Sequence, residues 1–516
     1  MSSTFTGLYT ATTGLYASQA AMAVATNNIS NANTDGYSRK TITQSAIGPA
    51  AVYLSSASTG SGTEITSVSR ERNALLDAQY WSENSVATAW TTKGNALGEL
   101  EDVLEDISNE DGFDTIMSEF AAALEDVSTD PDSTDARTCL QQAGEAVCDY
   151  LNSMADSLAD IREGLNEDVK TTVSEINAYS EQIAALNQQI QKVQVAGTDA
   201  SDLEDQRDVL IDKLSALINV EVTETSAGTS VKGEPVTTLV ISIDGGTLVN
   251  GGNFRTLACN EVADTTSGDS GMYEVVWSDT QSAMTPESGQ LGALLEVRDG
   301  TGEEGEYKGV VYYMNQLDTY ARTLAEAFNE GTASCSGHAD GYDSDGNTGI
   351  CFFTYDDMSS ASFLDRTTTP SAATVAAIYA NITAANISLS YEVSTDVSNI
   401  AASSSADTSE TDNNENILAL ISLCDSTEVF GNCSLNDYLE SMTATLGTAT
   451  SYANTQSERH DTILSAVNTR RASVSSVSTS EETTKLVLYQ ETFAASAKAI
   501  SMWQEVYQSM LDMVNG

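Results

Sequence analysis

Apolar residues return every seven positions near the start of the chain, at Leu8, Leu15, Met22 and Ile29. Ala11, Ser18 and Ala25 follow three residues after the first three. The repeat predicts an α-helix with a heptad seam and a small-residue flank that admits a close neighbour. The far end answers it: Leu486, Phe493, Ile500, Tyr507 and Val514 are seven apart, with Tyr489, Ser496, Trp503 and Met510 three after the first four. Thr479 and Glu482 have capping-box spacing and predict where this helix starts. A third seam is Val169, Ile176, Ile183 and Ile190, with Tyr179, Leu186 and Val193 as companions, and it stops at Ala196-Gly197. Ser201 and Glu204 then open a helix carrying Leu203, Leu210 and Leu217 on one stripe, so an antiparallel hairpin of helices is expected.

Further helices are predicted at 89–107, 113–127, 134–162, 303–330, 413–424 and 437–470. Between them the period changes to two. VEVTETSAG, TTLVISIDGGTLV and MYEVVWSD alternate or are β-branched, and glycine turns separate them. They predict a small β domain at 220–285. A second insertion at 335–410 has weaker strands at 350–355 and 386–394, and its SSSADTSETDNN stretch reads as a loop. The expected fold is mainly α with β insertions. Terminal coiled-coil helices (1–35 with 481–516) join an elongated helical-bundle body (36–219, 286–334 and 411–480), into which 220–285 and 335–410 are inserted.

Charge divides the chain the same way. Acidic residues outnumber basic ones 75 to 22, a net charge of −53, which argues against nucleic acid or an anionic membrane surface as partner. Yet residues 1–63 hold only Asp35, Arg39 and Lys40, and residues 485–516 hold two bases and three acids. Nearly all the negative charge therefore lies in the middle. Discharged ends on a charged middle are expected where the ends pack against copies of themselves. Simple Ser/Thr/Ala enrichment would also discharge them. No run reaches the ~20 apolar residues of a membrane span. The absence of a basic residue before Arg39 predicts no secretory signal peptide.

Chemistry-bearing motifs are few. The two histidines, His338 and His460, lie in no zinc or triad pattern, and no glycine-rich phosphate loop precedes a helix. In DGYDSDGNTG, Asp343, Asp345 and Asn347 alternate like the start of a calcium loop, but Thr348 and Thr354 replace the required Gly and Glu. A Gly/Asp turn is the better reading, with weak calcium binding as the alternative. Of seven cysteines, Cys139 and Cys148 would face opposite sides of one helix. The pairs Cys335/Cys351 and Cys424/Cys433 flank loops and could close disulfides, or all could remain buried thiols. The sequons at Asn28, Asn381, Asn386 and Asn432 carry little weight alone.

Residues 7–40, GLYTATTGLYASQAAMAVATNNISNANTDGYSRK, resemble the N-terminal signature of bacterial flagellar rod, hook and hook-associated proteins. Ser38-Arg39, DLEDQRDVLIDKLSALINVEV (202–222), GQLGALLEVRD (289–299), GYDSDGNTGICFF and EETTKLVLYQETFAASAKAI (481–500) are similar to the hook–filament junction members of that family. Ser476 to Ser480 depart from the family's usual Gly-Val-Asn-Leu-Asp-type segment. The resemblance implies a structural subunit without catalysis or cofactor. It implies export through the flagellar type III apparatus, with an export chaperone and no cleaved leader, to the extracellular hook–filament junction. Implied partners are copies of itself, hook protein and a second junction protein, with no nucleic acid and no membrane. The implied assembly residues are Leu8, Leu15, Met22, Asn28, Ile29, Gly36, Tyr37 and Arg39 at one end. At the other they are Leu486, Phe493, Ile500, Trp503, Tyr507 and Met510. Arg39 and Lys40 are expected either to meet neighbouring acidic subunits or simply to be solvated. A hook or distal rod subunit is the alternative, disfavoured by the 169–193 coil. A secreted calcium-dependent adhesin or hydrolase would require the Asp343 loop.

Overall fold

A computed structural model describes residues 4–48, 60–105, 112–233, 235–262, 271–303, 305–367, 370–424, 426–431 and 433–515. The sequon at Asn432, positions 106 and 107 of a predicted helix, and Gly516 lie outside them. The chain opens with α1 (Thr4–Ser30), a hairpin of β1 (Lys40–Ala46) and β2 (Thr63–Arg70), then α2 (Ala74–Glu105), α3 (Phe113–Thr129), α4 (Thr134–Val195) and α5 (Ser201–Leu217). Six strands follow: β3 (Glu221–Thr229), β4 (Pro235–Ile243), β5 (Gly246–Asn250), β6 (Asn253–Phe254), β7 (Leu257–Glu261) and β8 (Tyr273–Trp277). Next come α6 (Gly289–Asp299), α7 (Val310–Glu330), β9 (Phe353–Tyr355), α8 (Ser360–Phe363), α9 (Ala372–Tyr379), β10 (Ile387–Leu389) and α10 (Tyr391–Thr395). The chain closes with α11 (Glu415–Cys424), α12 (Leu435–Ser475) and α13 (Thr479–Asn515). The fold is mainly α with small antiparallel sheets, as the periodicity predicts.

The spine is α4, 62 residues and about 90 Å long. The two helices expected at 134–162 and from 169 are one. Gly164 does not break them because it faces solvent while Leu158, Arg162, Leu165 and Val169 carry the buried stripe past it. The seam residues Val169, Ile176, Ile183 and Ile190 are buried as expected. Their companions are different: Val173, Ser180 and Asn187, four residues on, are buried, whereas Tyr179, Leu186 and Val193 are only half-buried. Two of the true companions are polar, so an apolar template passes over them. Asn187 sits there because its amide donates to the Gly251 carbonyl at 3.0 Å and its oxygen accepts from Arg207 at 3.2 Å. On α5 the buried apolar positions are Ile211, Leu214 and Leu217, while Leu203 and Leu210 are half-buried.

The strands β3 to β6 form a four-stranded sheet and β7 pairs with β8, all antiparallel. Side-chain amides of α4 serve the free strand edges. Asn177 accepts from Leu257 N–H at 2.8 Å and donates to its carbonyl at 2.9 Å, and Asn166 accepts from Tyr273 N–H at 2.8 Å. Sheet and helix residues share one apolar core, running from Ile241, Leu248 and Trp277 through Ile176 and Leu291 to Tyr313, Phe120 and Phe352.

Several local expectations shift. α2 begins at Ala74, fifteen residues before the predicted 89, and the β1–β2 hairpin was not anticipated at all. In the second insertion, strand 386–394 shortens to β10 because Ser390 caps α10, accepting from Val393 N–H at 3.3 Å. All seven cysteines are free thiols, so neither loop-flanking pair is bridged. Cys351 is wholly buried beside Arg366, while the Cys335 sulfur lies 3.1 Å from the Ser422 hydroxyl. Cys139 is exposed and Cys148 buried, as half a helical rotation demands.

Candidate functional site: the terminal helix pair and its crossing point

α1 and α13 run antiparallel at constant register. Gly7 lies against Trp503, Gly14 against Ser496, and Asn28 bonds Glu482, so each heptad forward on one helix is a heptad back on the other. The closest approach is through small residues. A Cβ on Gly7 would fall 2.1 Å from the Trp503 ring, and Ala17, Ser18, Ala21 and Ala25 are buried in the seam. The predicted α1 heptad of Leu8, Leu15, Met22 and Ile29 flanks this seam and is half-buried. On α13, Leu486, Phe493, Ile500, Trp503 and Tyr507 are half-buried and Met510 is exposed. Ser478, one residue before the predicted cap, takes the Glu481 N–H on its hydroxyl at 3.4 Å. Glu482 is thereby released from capping and crosses to α1.

The Asn-rich turn after α1 is where the pair meets the body. Asn28 is fully buried, and all four of its amide bonding positions are used. Its nitrogen donates to the Lys40 carbonyl at 2.9 Å and to Glu482 at 3.0 Å; its oxygen accepts from Lys40 N–H at 3.0 Å and the Tyr37 hydroxyl at 2.9 Å. Gly36 adopts φ +74°, and a Cβ there would strike Val209 of α5 at 2.0 Å. The Ser38 N–H donates to Asp205 of α5 at 2.9 Å, and the Arg39 N–H to the Ser475 carbonyl of α12 at 2.8 Å. Five elements thus converge on fourteen residues of sequence.

The scarce positive charge is spent within the chain. Lys40 pairs with Asp202 at 2.7 Å and Arg39 with Glu481 at 3.4 Å, both carboxylates of the same chain. Below them lies a ladder that sequence reading missed. Arg70 contacts Glu204, Asp205 and Asp208 at 2.9, 3.0 and 2.5 Å, Arg72 joins Asp208 to Asp77, and Arg471 joins Asp77 to Asp212. These pairs tie β2, α2, α5 and α12 together. The only sequence signal for them is the clustering of rare arginines in SRER and TRRAS. The carboxylates of Asp202, Asp205, Glu482 and Asp199 act after burial itself to push the Tyr37 hydroxyl well above the ordinary phenol range.

The Asp343 loop lies elsewhere, against α4 and the 398–403 segment. The Asp343 carboxylate accepts from Asp345 N–H at 2.9 Å and from Asn347 N–H at 2.7 Å, forming a self-bonded turn. Among the described residues no group of three or more His, Cys, Asp or Glu gathers as a metal-binding set.

Comparison with known proteins accords with this arrangement. The family described as flagella basal body rod protein matches residues 8–37, and the flagellar hook-associated protein FlgK helical domain matches 97–353. Flagellar hook-associated protein 1 of Bacillus subtilis (strain 168) is 28% identical over 539 residues, covering 99% of each chain. The protein of that name from Salmonella typhimurium is 25% identical, covering 98% of this chain and 99% of that one. The flagellar hook junction protein FlgK of Burkholderia pseudomallei has the same fold, with TM-score 0.60, 16% identity, and coverage of 77% of this chain and all of that one. Paired chain ends carrying the rod-protein signature define a flagellar axial protein. Within that class, the chain is similar over nearly its whole length to flagellar hook-associated protein 1.

Proposed function

We propose that the chain is a structural subunit of the flagellum joining hook to filament, and that it polymerises through the α1–α13 pair. The observation that carries this reading is the outer surface of the pair. Tyr9 and Tyr16 on α1, and Leu488, Met502, Val506 and Met513 on α13, are exposed. On α13 they recur at helical spacing, about 60–100° round from the Ser496–Trp503 seam used within the chain. A helix with apolar residues on two faces and one neighbour has room for a second. Packing of the α1–α13 pairs of adjacent copies would cover that surface.

In this reading residues 1–35 and 481–516 form the inner, polymerising part, and the acidic body with its inserted strands faces outward. The subunit has no catalytic role. It leaves the cell through the flagellar type III apparatus with an export chaperone. Hook protein lies on one side of it and a second junction protein on the other. The test is a deletion strain complemented with this chain. Without the chain, cells should make hooks and shed unpolymerised flagellin; with it, filaments should return. Versions lacking residues 1–30 or 486–516 should fail to incorporate while the body remains folded. Normal filaments from either truncation would overturn the polymerising role of the pair.

A further inference from the structure

Beside the crossing point, a cleft of about 730 Å3 opens between the end of α1 and the α4–α5 hairpin. Its floor includes Leu186, Val209 and Leu210, and Gln182, Gln189 and Gln206 line it with amides. Asp35 and Asp202 stand at its rim. Asp35 is exposed and has no cation within 4 Å among the described residues, and Asp202 keeps two-thirds of its side chain exposed although Lys40 is beside it. The stretches of α4 and α5 that line it, 182–189 and 202–210, give a groove of roughly 12 Å, or two helical turns.

The complementary surface is on α12. Its inner face sends His460 to Glu83 and Arg471 to Asp77 and Asp212. Arg459, Ile463, Ala466 and Arg470, at spacings of four, three and four, form a separate stripe. All four are exposed, and neither arginine has a carboxylate within 4 Å among the described residues. Ile463, 38% exposed, lies between the two charges beside the small Ala466. In a chain of net charge −53, the stripe thus offers two exposed guanidinium groups on either side of an isoleucine. The stripe and the cleft lie at one level of the molecule. Arg471, next to Arg470, bonds Asp212 of α5 at 2.8 Å, two residues beyond Leu210 of the cleft. They also point different ways. Arg471 reaches α5, whereas Arg470 leaves the helix about 100° around from it. Distinct, complementary patches at one level are what a head-to-tail contact between copies requires.

We propose that the Gln- and Asp-lined cleft of one subunit receives the Arg459–Ile463–Arg470 stripe of α12 from a second copy of the chain. Ile463 packs on Leu186 and Val209, and the arginines take the carboxylates of Asp35 and Asp202. The contact joins bodies rather than terminal pairs, and it rests on the junction reading only in needing copies to meet.

The test places a photoreactive benzoyl-phenylalanine at Ile463 of the full chain, both in complemented flagella and in the purified protein at high concentration. Cross-linked dimers should map to peptides within 27–37 or 182–210. The Arg459→Glu/Arg470→Glu variant should lose roughly tenfold in cross-linking and incorporation through like-charge opposition. Adding Asp35→Arg and Gln206→Arg should restore part of it. Cross-links mapping only elsewhere, or undiminished incorporation of the double variant, would overturn the contact. The readings separate cleanly, because a wild-type chain that never enters flagella sinks the junction role, while cross-links of the purified chain still decide the contact.

Discussion

Two long helices, α4 and α13, are built from similar residues and do opposite things with them. α4 buries 21 of its 62 residues, on a stripe that α2, α3, α5, α6 and the sheets cover from several sides. Among the 35 described side chains of α13, Glu482 alone is buried, although Leu488, Met502 and Leu511 are as apolar as anything in α4. Composition therefore does not distinguish a core helix from an assembly helix here. The number of neighbours supplied by the same chain does. A helix of this length with one partner has little tertiary packing to offset the entropy of ordering it.

The sharpest way to break the comparison is the same substitution on both helices. Leu158→Ala removes a side chain with no exposed surface, and should cost the body about 2–5 kcal/mol in urea unfolding of the full chain. Leu488→Ala, at a position 58% exposed, should move that midpoint within about 0.5 kcal/mol. It should nevertheless weaken incorporation into flagella, because the residue is buried only when a neighbour arrives. Equal effects of the two substitutions on unfolding would erase the distinction.

A second prediction concerns acid. His338 is fully buried, with Nδ1 2.8 Å from the Ile350 carbonyl and Nε2 accepting from Ala401 N–H at 2.9 Å, a pairing that needs the neutral ring. Burial pushes its pKa down to about 4. The folded value lies below the unfolded one of roughly 6.5, so its contribution is fully present above pH ~6.5 and is lost as pH falls towards 4. The shift corresponds to roughly 3 kcal/mol. Urea midpoints of the body should fall over that window, and less steeply in His338→Gln, whereas the terminal pair has no such group. An unchanged slope in the variant would exclude His338 as the source.

What the sequence made legible follows the same physics. Seven-residue repeats found α1, α13 and the lower half of α4, because each buries or half-buries one side. They set the leucines on the seam with small residues at its flank, whereas Gly7, Gly14 and the buried Ala21 carry the close approach and the leucines flank it. Small residues carry no hydropathy signal, yet they are what lets two helices approach. The β1–β2 hairpin was missed although TEITSVSR alternates, since both faces are polar and the strand buries little. The arginine–aspartate ladder and the Asn28 node were hidden for another reason. Their partners are far apart in sequence, Asn28 and Glu482 by 454 residues, and no local pattern reports a pairing of that range.

Asn28→Ala is the next test in size. It leaves the buried N–H and carbonyl of Lys40 without their amide partner and removes the bridge to Glu482, for about 1–3 kcal/mol. The loss should appear as faster proteolysis of α1 and α13 in the full chain, with the body's urea midpoint nearly unchanged. A matching fall in that midpoint would mean that the turn holds the body together rather than joining the pair to it.

The smallest expected effect is the most specific. Gly7→Ala places a methyl 2.1 Å from the Trp503 ring, an overlap that overpacked sites answer with about 1–3 kcal/mol. Two things reduce it. Alanine gains about 1 kcal/mol over glycine inside a helix. Trp503 is half-buried, so its ring has open space to turn into. The net cost should be about 1 kcal/mol, a loss of roughly fivefold in incorporation. Trp503 fluorescence should shift to the red as the ring moves outward, and Gly7→Ala combined with Trp503→Leu should recover the lost incorporation. A variant stabilised by the helix propensity of alanine, with no change in Trp503 emission, would mean that the pair does not close over Gly7. The seam would then run through Leu8, Leu15 and Met22 after all.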